Sequence, residues 1–154
     1  MDSNDPFSVR RRIEFSETDM AGIVHFSNFL RYMEFAEAAL FREIGWSLFQ
    51  TSGNHLYGWP RIKVQCRYRS PLRFEDQVRI GLGIEAIGER SIAYRFRFFK
   101  QREAPLSEEK VAVGSMTTCF SEKKEDSGTI ISARMPEALV SLLQPYLLTT
   151  LESD

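Results

Sequence analysis

Residues 17–29, ETDMAGIVHFSNF, set two acids, a small-residue turn and a histidine directly ahead of a helical stretch. A carboxylate placed there can attack a carbonyl carbon or activate a water molecule. Asp19 lies four residues beyond Phe15, in the connection between a strand and a helix. Ala21 and Gly22 let the chain turn tightly and let a ligand approach the backbone. The unpaired N–H groups of the helix start favour negative charge. A carbonyl oxygen lodged against them is stabilised as it becomes an oxyanion, and losing one such donor costs about 3–4 kcal/mol of barrier. Acid plus helix start is therefore a minimal acyl-transfer site. The same residues also suit an ordinary capped helix, and spacing alone leaves both readings open.

The elements that must position these residues follow from hydrophobic period. Phe7, Val9, Ile13 and Phe15 alternate as a strand, with Arg11 breaking its face. Phe29, Met33, Ala36, Leu40 and Ile44 recur at helical spacing over residues 27–44. Ser27 or Asn28 suits the N-cap, and Gly45 the C-terminal stop. After the loop SLFQTSGNHLYGWP the period returns to two, in Ile62–Tyr68, Val78–Ile84, Ile92–Phe98 and Val111–Phe120. IGER at 87–90 reads as a hairpin turn, and a polar, Pro-containing loop precedes the last run. Pro136 opens a short C-terminal helix through about residue 143. Strand, long helix and four short-linked strands predict an α+β domain with an antiparallel sheet. Phe96 and Phe98 face one side of that sheet and Phe99 the other, so a second subunit is expected over the outer face.

The chain has 154 residues, which predicts one domain across 1–154. With 20 basic and 21 acidic residues its net charge is −1, which gives no electrostatic case for nucleic acid as partner. No apolar run approaches 18 residues, so no membrane span is expected. The start, MDSNDPFSVRRR, has no apolar export segment, and Cys66 and Cys119 make no disulfide framework. Both features predict a cytoplasmic setting.

The stretch FSETDMAGIVHFSNFLRYMEFAE, residues 15–37, resembles the signature of the 4-hydroxybenzoyl-CoA thioesterase family, of the hotdog fold. The matching residues are Phe15, Glu17, Asp19, GIV, Phe26, Asn28 and Phe29, and YRSPLRFED at 68–76 is similar to a second recurrent stretch. The resemblance spans about residues 7–145. It implies a long central helix wrapped by a five-stranded antiparallel sheet. It also implies a homodimer or homotetramer that hydrolyses an acyl-CoA or aryl-CoA, with no cofactor beyond the coenzyme A of the substrate. Asp19 becomes the catalytic carboxylate, as nucleophile or general base, and the backbone N–H of Phe26 the group polarising the thioester carbonyl. Glu17, Gly22, Ile23, Val24 and Phe29 become substrate-binding candidates. In a related branch a His follows the Val-Val step by two positions. Here His25 comes one residue early and Phe26 holds that place, so the sequence sits nearer the aryl-CoA branch, which has two aromatics there.

The remaining candidates are read against that expectation. His25 is either a proton donor to the departing thiolate or a residue of the helix start; as base of a hydratase or dehydratase it lacks the flanking prolines of such enzymes. A module that binds acyl-CoA or an acyl carrier protein without catalysis is the other alternative. Glu17 would share a face with Asp19 if the backbone were extended, and would then raise its pKa. Arg61, Lys63, Arg67 and Arg69 form a basic stripe on one strand, and Arg73 and Arg90 lie in loops; all six are candidates for the phosphates of coenzyme A, and a solvent face is the other reading of the stripe. Nothing near Cys66 in sequence lowers its pKa, and no His/Cys/carboxylate spacing suggests a metal.

Overall fold

The computed structural model describes residues 5–102 and 107–149, so the Pro-containing segment 103–106 and both ends of the expected 1–154 span lie outside the described residues. Strand β1 (Phe7–Arg12) leads through a 3-10 turn, Phe15–Glu17, to helix α1 (Asn28–Glu43). Two short strands follow, β2 (Gln50–Ser52) and β3 (His55–Gly58). The long strands β4 (Arg61–Tyr68), β5 (Gln77–Ile87), β6 (Ser91–Arg102) and β7 (Ser107–Cys119) come next. The chain then forms β8 (Ser121–Lys124), β9 (Ile130–Ser132) and helix α2 (Glu137–Leu143).

Five strands form one antiparallel sheet in the order β1-β5-β6-β7-β4, with α1 across its inner face. Helix α1 buries the predicted stripe of Phe29, Met33, Ala36 and Leu40, widened by Tyr32, Glu37 and Phe41. Opposite them Val78, Ile80, Leu82, Ile84, Ile92, Tyr94, Phe96 and Phe98 are buried. Alternation places those residues on one side of β5 and β6, which is why a period of two builds a face for the helix. At the end of α1 the N–H of Gly45 bonds to Arg42 O (3.2 Å) and that of Trp46 to Phe41 O (2.9 Å). This pair of bonds needs the positive φ of Gly45, +72°.

β5 has β1 and β6 on its two sides, and β4 pairs with β7 at the sheet edge. One expectation changes. The stretch read as a loop before β4 instead supplies β2 and β3, which join β8 and β9 in a second, four-stranded sheet. Its strands are three or four residues long and mostly polar, too short for alternation to announce them. The run expected at Val111–Phe120 lies in β7 up to Cys119, and Phe120 separates β7 from β8.

The outer face of the large sheet is partly covered by the chain itself. The Asp5 carboxylate occupies the space a side chain at Gly81 would need, and Leu148 the space at Gly83. Asp5 holds Arg79 (3.0 Å) and Arg97 (2.7 Å), Glu108 holds Arg79 (2.7 Å), and the Arg79 guanidinium lies 4.3 Å over the Phe99 ring. The outward Phe99 is thus covered by arginine. Nearer the β4 edge, Gln65, Arg67, Glu85, Arg95 and Ser115 line an open polar hollow of about 510 Å³.

Candidate functional site

Two connections meet at the N-terminal end of α1. Residues 13–27 leave β1, and residues 69–76 join β4 to β5. The Val24 N–H bonds to Leu72 O (2.8 Å), and Ile13 pairs with the other connection through Asp76 O and the Glu75 N–H. Leu72 and Val24 are buried, and their carbonyl–amide bond anchors the two stretches against each other. The second stretch singled out by sequence therefore packs on the first.

Within the first connection the chain folds back on itself. Thr18 bridges Val24, with Asp19 N–H to Ile23 O (2.9 Å) and His25 N–H to Glu17 O (2.9 Å) closing the pair. The tip is a tight turn in which Gly22 N–H bonds to Asp19 O (2.9 Å). Gly22 adopts φ +74°, a conformation that L side chains rarely take, which explains the small residue there. The Asp19 Oδ1 accepts the Ala21 N–H at 2.8 Å, which fixes the carboxylate within its own turn. The other oxygen, Oδ2, has no partner among the described residues, and the side chain is half-exposed. The carboxylate is thus oriented and still open to a reactant.

The helix start lacks a side-chain cap. Ser27 stands at the N-cap without a capping bond; its hydroxyl meets His25 Nδ1 at 2.7 Å instead. Asn28, the other expected cap, donates its side-chain N–H to Glu17 O at 2.8 Å. The Asn28 backbone N–H donates to His25 O (2.9 Å), and the Phe29 and Leu30 N–H groups close similar tight bonds to Phe26 and Ser27. The Phe26 N–H alone in this turn donates to no group among the described residues. It shares a trans peptide with the His25 carbonyl, and the two point in opposite directions. Since that carbonyl points into the helix, the Phe26 N–H points out of the positive helix end.

The surroundings are apolar. Phe26 (63% exposed), Met20, Phe15 and Phe74 stand exposed about the turn, the last two ring-to-edge at 5.7 Å. The Tyr68 hydroxyl donates to Phe26 O at 3.0 Å, and burial, then the neighbouring Cys66, push its pKa up to about 12. It therefore stays a proton donor through neutral pH. The sequence reading gave no role at the site to Tyr68 or to the side chain of Asn28: one appeared as the end of an alternating run, the other as a cap and a residue of the matching stretch.

The other candidates fall in different places. Glu17 sits in the 3-10 turn, not in extended backbone, and its carboxylate is held by Arg11 at 2.5 Å and by the Glu14 N–H. It is thus occupied inward and does not present a free carboxylate beside Asp19. Val24 and Phe29 are buried, Phe29 edge-on to Tyr68 and Phe98, so they form the wall behind the turn and not its surface. Gly22 and Ile23 form the turn itself. His25 is exposed, its ring tilted against that of Phe26 at 4.4 Å and bonded to Ser27. Burial pushes the Cys66 thiol up to about 11, consistent with an unreactive inner-face residue.

The six basic candidates do not form one surface. Arg73 lies beside the turn, its guanidinium 4.0 Å from where a Gly22 side chain would begin. Arg69 follows Tyr68 at the same end, Arg67 lines the outer hollow, and Lys63 shares that outer face. Arg61 is set apart by an irregularity between Arg61 and Lys63 and is held at 2.5 Å by the buried Glu37. Arg90 bonds to Ser132 near the far end of the sheet. Arg61 therefore lies at the opposite end of β4 from Tyr68, roughly 23 Å along the strand, and Arg90 lies near that far end.

The model of a family described as the Thioesterase-like superfamily matches residues 13–143. An Aquifex aeolicus protein whose name proposes an esterase is 33% identical over 98 residues, 62% of this chain and 74% of its own length. A 1,4-dihydroxy-2-naphthoyl-CoA hydrolase of Prochlorococcus marinus is 30% identical over 102 residues, 62% of this chain and 66% of its own. Among solved structures, a 4-hydroxybenzoyl-CoA thioesterase mutant complexed with 4-hydroxybenzoyl-CoA superposes with a TM-score of 0.75. It covers 89% of this chain and 97% of that one at 16% identity, a likeness of fold.

Proposed function

Because the chain belongs to the Thioesterase-like superfamily, we propose that it hydrolyses an aryl-CoA or related acyl-CoA thioester, with Asp19 as its catalytic carboxylate. The observation that carries this reading is the presence of two unsatisfied groups in one strand-to-helix connection. Asp19 offers a free carboxylate oxygen, and seven residues on the Phe26 N–H leaves the helix end without an acceptor. A thioester carbonyl oxygen at that N–H gains charge as the carbonyl carbon is attacked, and the donor and helix dipole stabilise it. Asp19 either forms an acyl anhydride that water then opens, or removes the proton from an attacking water. Both routes release the free acid and the coenzyme A thiol, so coenzyme A enters as part of the substrate.

The exposed Phe15, Met20, Phe26 and Phe74 suit an apolar acyl group, and the names of the relatives point to an aromatic one. Arg69 and Arg73 are the basic side chains placed to meet coenzyme A phosphates at this end. The edge strand β4, with Ile62 65% exposed, and the apolar rim of the turn suit burial in a homodimer or homotetramer. Free-thiol release from benzoyl-, 1,4-dihydroxy-2-naphthoyl-, acetyl- and decanoyl-CoA tests the reading. Turnover of the aryl thioesters with the largest kcat/KM is expected. Absence of thiol release from every member would overturn it.

A further inference from the structure

Among the described residues, the Asn28 side chain ties the acid-bearing arm of the site to the helix start. Its side-chain N–H donates to Glu17 O, two residues before Asp19, at 2.8 Å. Its backbone N–H donates to His25 O at 2.9 Å, the carbonyl of the same peptide that carries the Phe26 N–H. Glu17 O also accepts the His25 N–H, so three bonds converge on the point where the arm meets the helix. From the sheet side, the Tyr68 hydroxyl holds the next carbonyl, Phe26 O, at 3.0 Å. Neither side chain needs to touch a substrate for this to matter. A donor acts on a developing oxyanion only if it is aimed beforehand, and a small misplacement costs rate.

We propose that Asn28 is a positioning residue that sets the Phe26 N–H relative to the Asp19 carboxylate, with Tyr68 fixing the same turn from β4. This rests on the thioesterase reading of the site. Two features separate positioning from mere support of the helix. An acid at the first turn of a helix is favourable to the helix dipole, so in Asn28→Asp that gain offsets part of the hydrogen bond lost at the helix start. Its carboxylate, however, cannot donate to the Glu17 carbonyl. Stability and rate should therefore part company in that variant.

The test compares wild type, Asn28→Ala, Asn28→Asp and Tyr68→Phe in free-thiol release from an aryl-CoA, each with its melting temperature. Both Asn28 variants are expected to lose about tenfold or more in kcat with KM within about threefold, and Tyr68→Phe less. The aim of the donor is read separately in the Asp19→Asn background, where bound substrate is not turned over. Infrared spectroscopy of benzoyl-CoA labelled with ¹³C at the thioester carbonyl should show its stretch lowered on binding. Adding Asn28→Asp should return the stretch toward that of the free thioester. If Asn28→Ala does not fold, Asn28→Asp and Tyr68→Phe carry the comparison. Thiol release by wild type, with folded Asn28→Asp retaining kcat within threefold and an unchanged stretch, overturns the positioning role alone. Absence of thiol release by wild type overturns the thioesterase reading and this inference with it.

Discussion

Asp19 and Glu37 are two acids of the same helical region with opposite surroundings. Glu37 lies on the sheet-facing side of α1 with no exposed surface, its carboxylate held by Arg61 at 2.5 Å and close to the buried Tyr94. Asp19 lies in a turn, half-exposed, with one oxygen bonded by its own backbone and the other free. Burial pushes the Glu37 pKa upward, and Arg61 pulls against that shift. The difference separates an acid that the fold must neutralise from one that it leaves available. An arrangement that saturates a carboxylate serves packing, whereas one that orients it and leaves a lone pair open keeps it available for the chemistry proposed above.

Disturbing the buried side should be felt in stability. The largest stability effect is expected from Arg61→Ala, which leaves Glu37 buried without its cation and should cost about 3 kcal/mol. For a chain of this size that lowers the melting temperature by roughly 6–12 °C. Calorimetry at pH 7 checks it, and an unchanged melting temperature would mean that the pair is not what holds Glu37.

Next comes the turn. Gly22→Ala forces a Cβ into φ +74°, and the open space toward Arg73 means that backbone strain, not collision, sets the cost. About 1–2 kcal/mol should be lost, measured by urea unfolding. A Gly22→Ala variant as stable as wild type would show that the turn relaxes without cost.

The smallest effect is a pH dependence. Because the folded-state pKa of Glu37 is raised above its ordinary 4.5, its protonated form favours the fold. That contribution is fully present below pH 4.5 and is lost as pH rises through the raised value. Wild type should therefore lose stability relative to Glu37→Gln as pH increases from 5 to 8, and the urea midpoints of the two proteins test the sign. Parallel midpoints would contradict it.

Much of the long-range architecture was readable from period alone. Phe29, Met33, Ala36 and Leu40 announced α1, and alternation in β5 and β6 announced the face beneath it, because burial on one side forces those periods. The small sheet was not readable, since strands of three or four polar residues carry too few positions to show alternation. At the site, Asp19 was marked by its place ahead of a helix and by resemblance, and Phe26 by resemblance. Arg61 misled because its odd position matched Lys63 and Arg67, while a backbone irregularity turns it toward Glu37. The roles of Asn28 and Tyr68 depend on contacts across 11 and 42 residues, which no local pattern contains.

The contrast between the two acids is tested most directly by exchanging each carboxyl for an amide and measuring thiol release from one aryl-CoA under identical conditions. Asp19→Asn should lower kcat by a factor on the order of 10²–10⁴ while its melting temperature stays within about 2 °C of wild type. Glu37→Gln should keep kcat within about threefold. A folded Asp19→Asn that releases thiol at the wild-type rate would contradict the assignment of the chemistry to this turn.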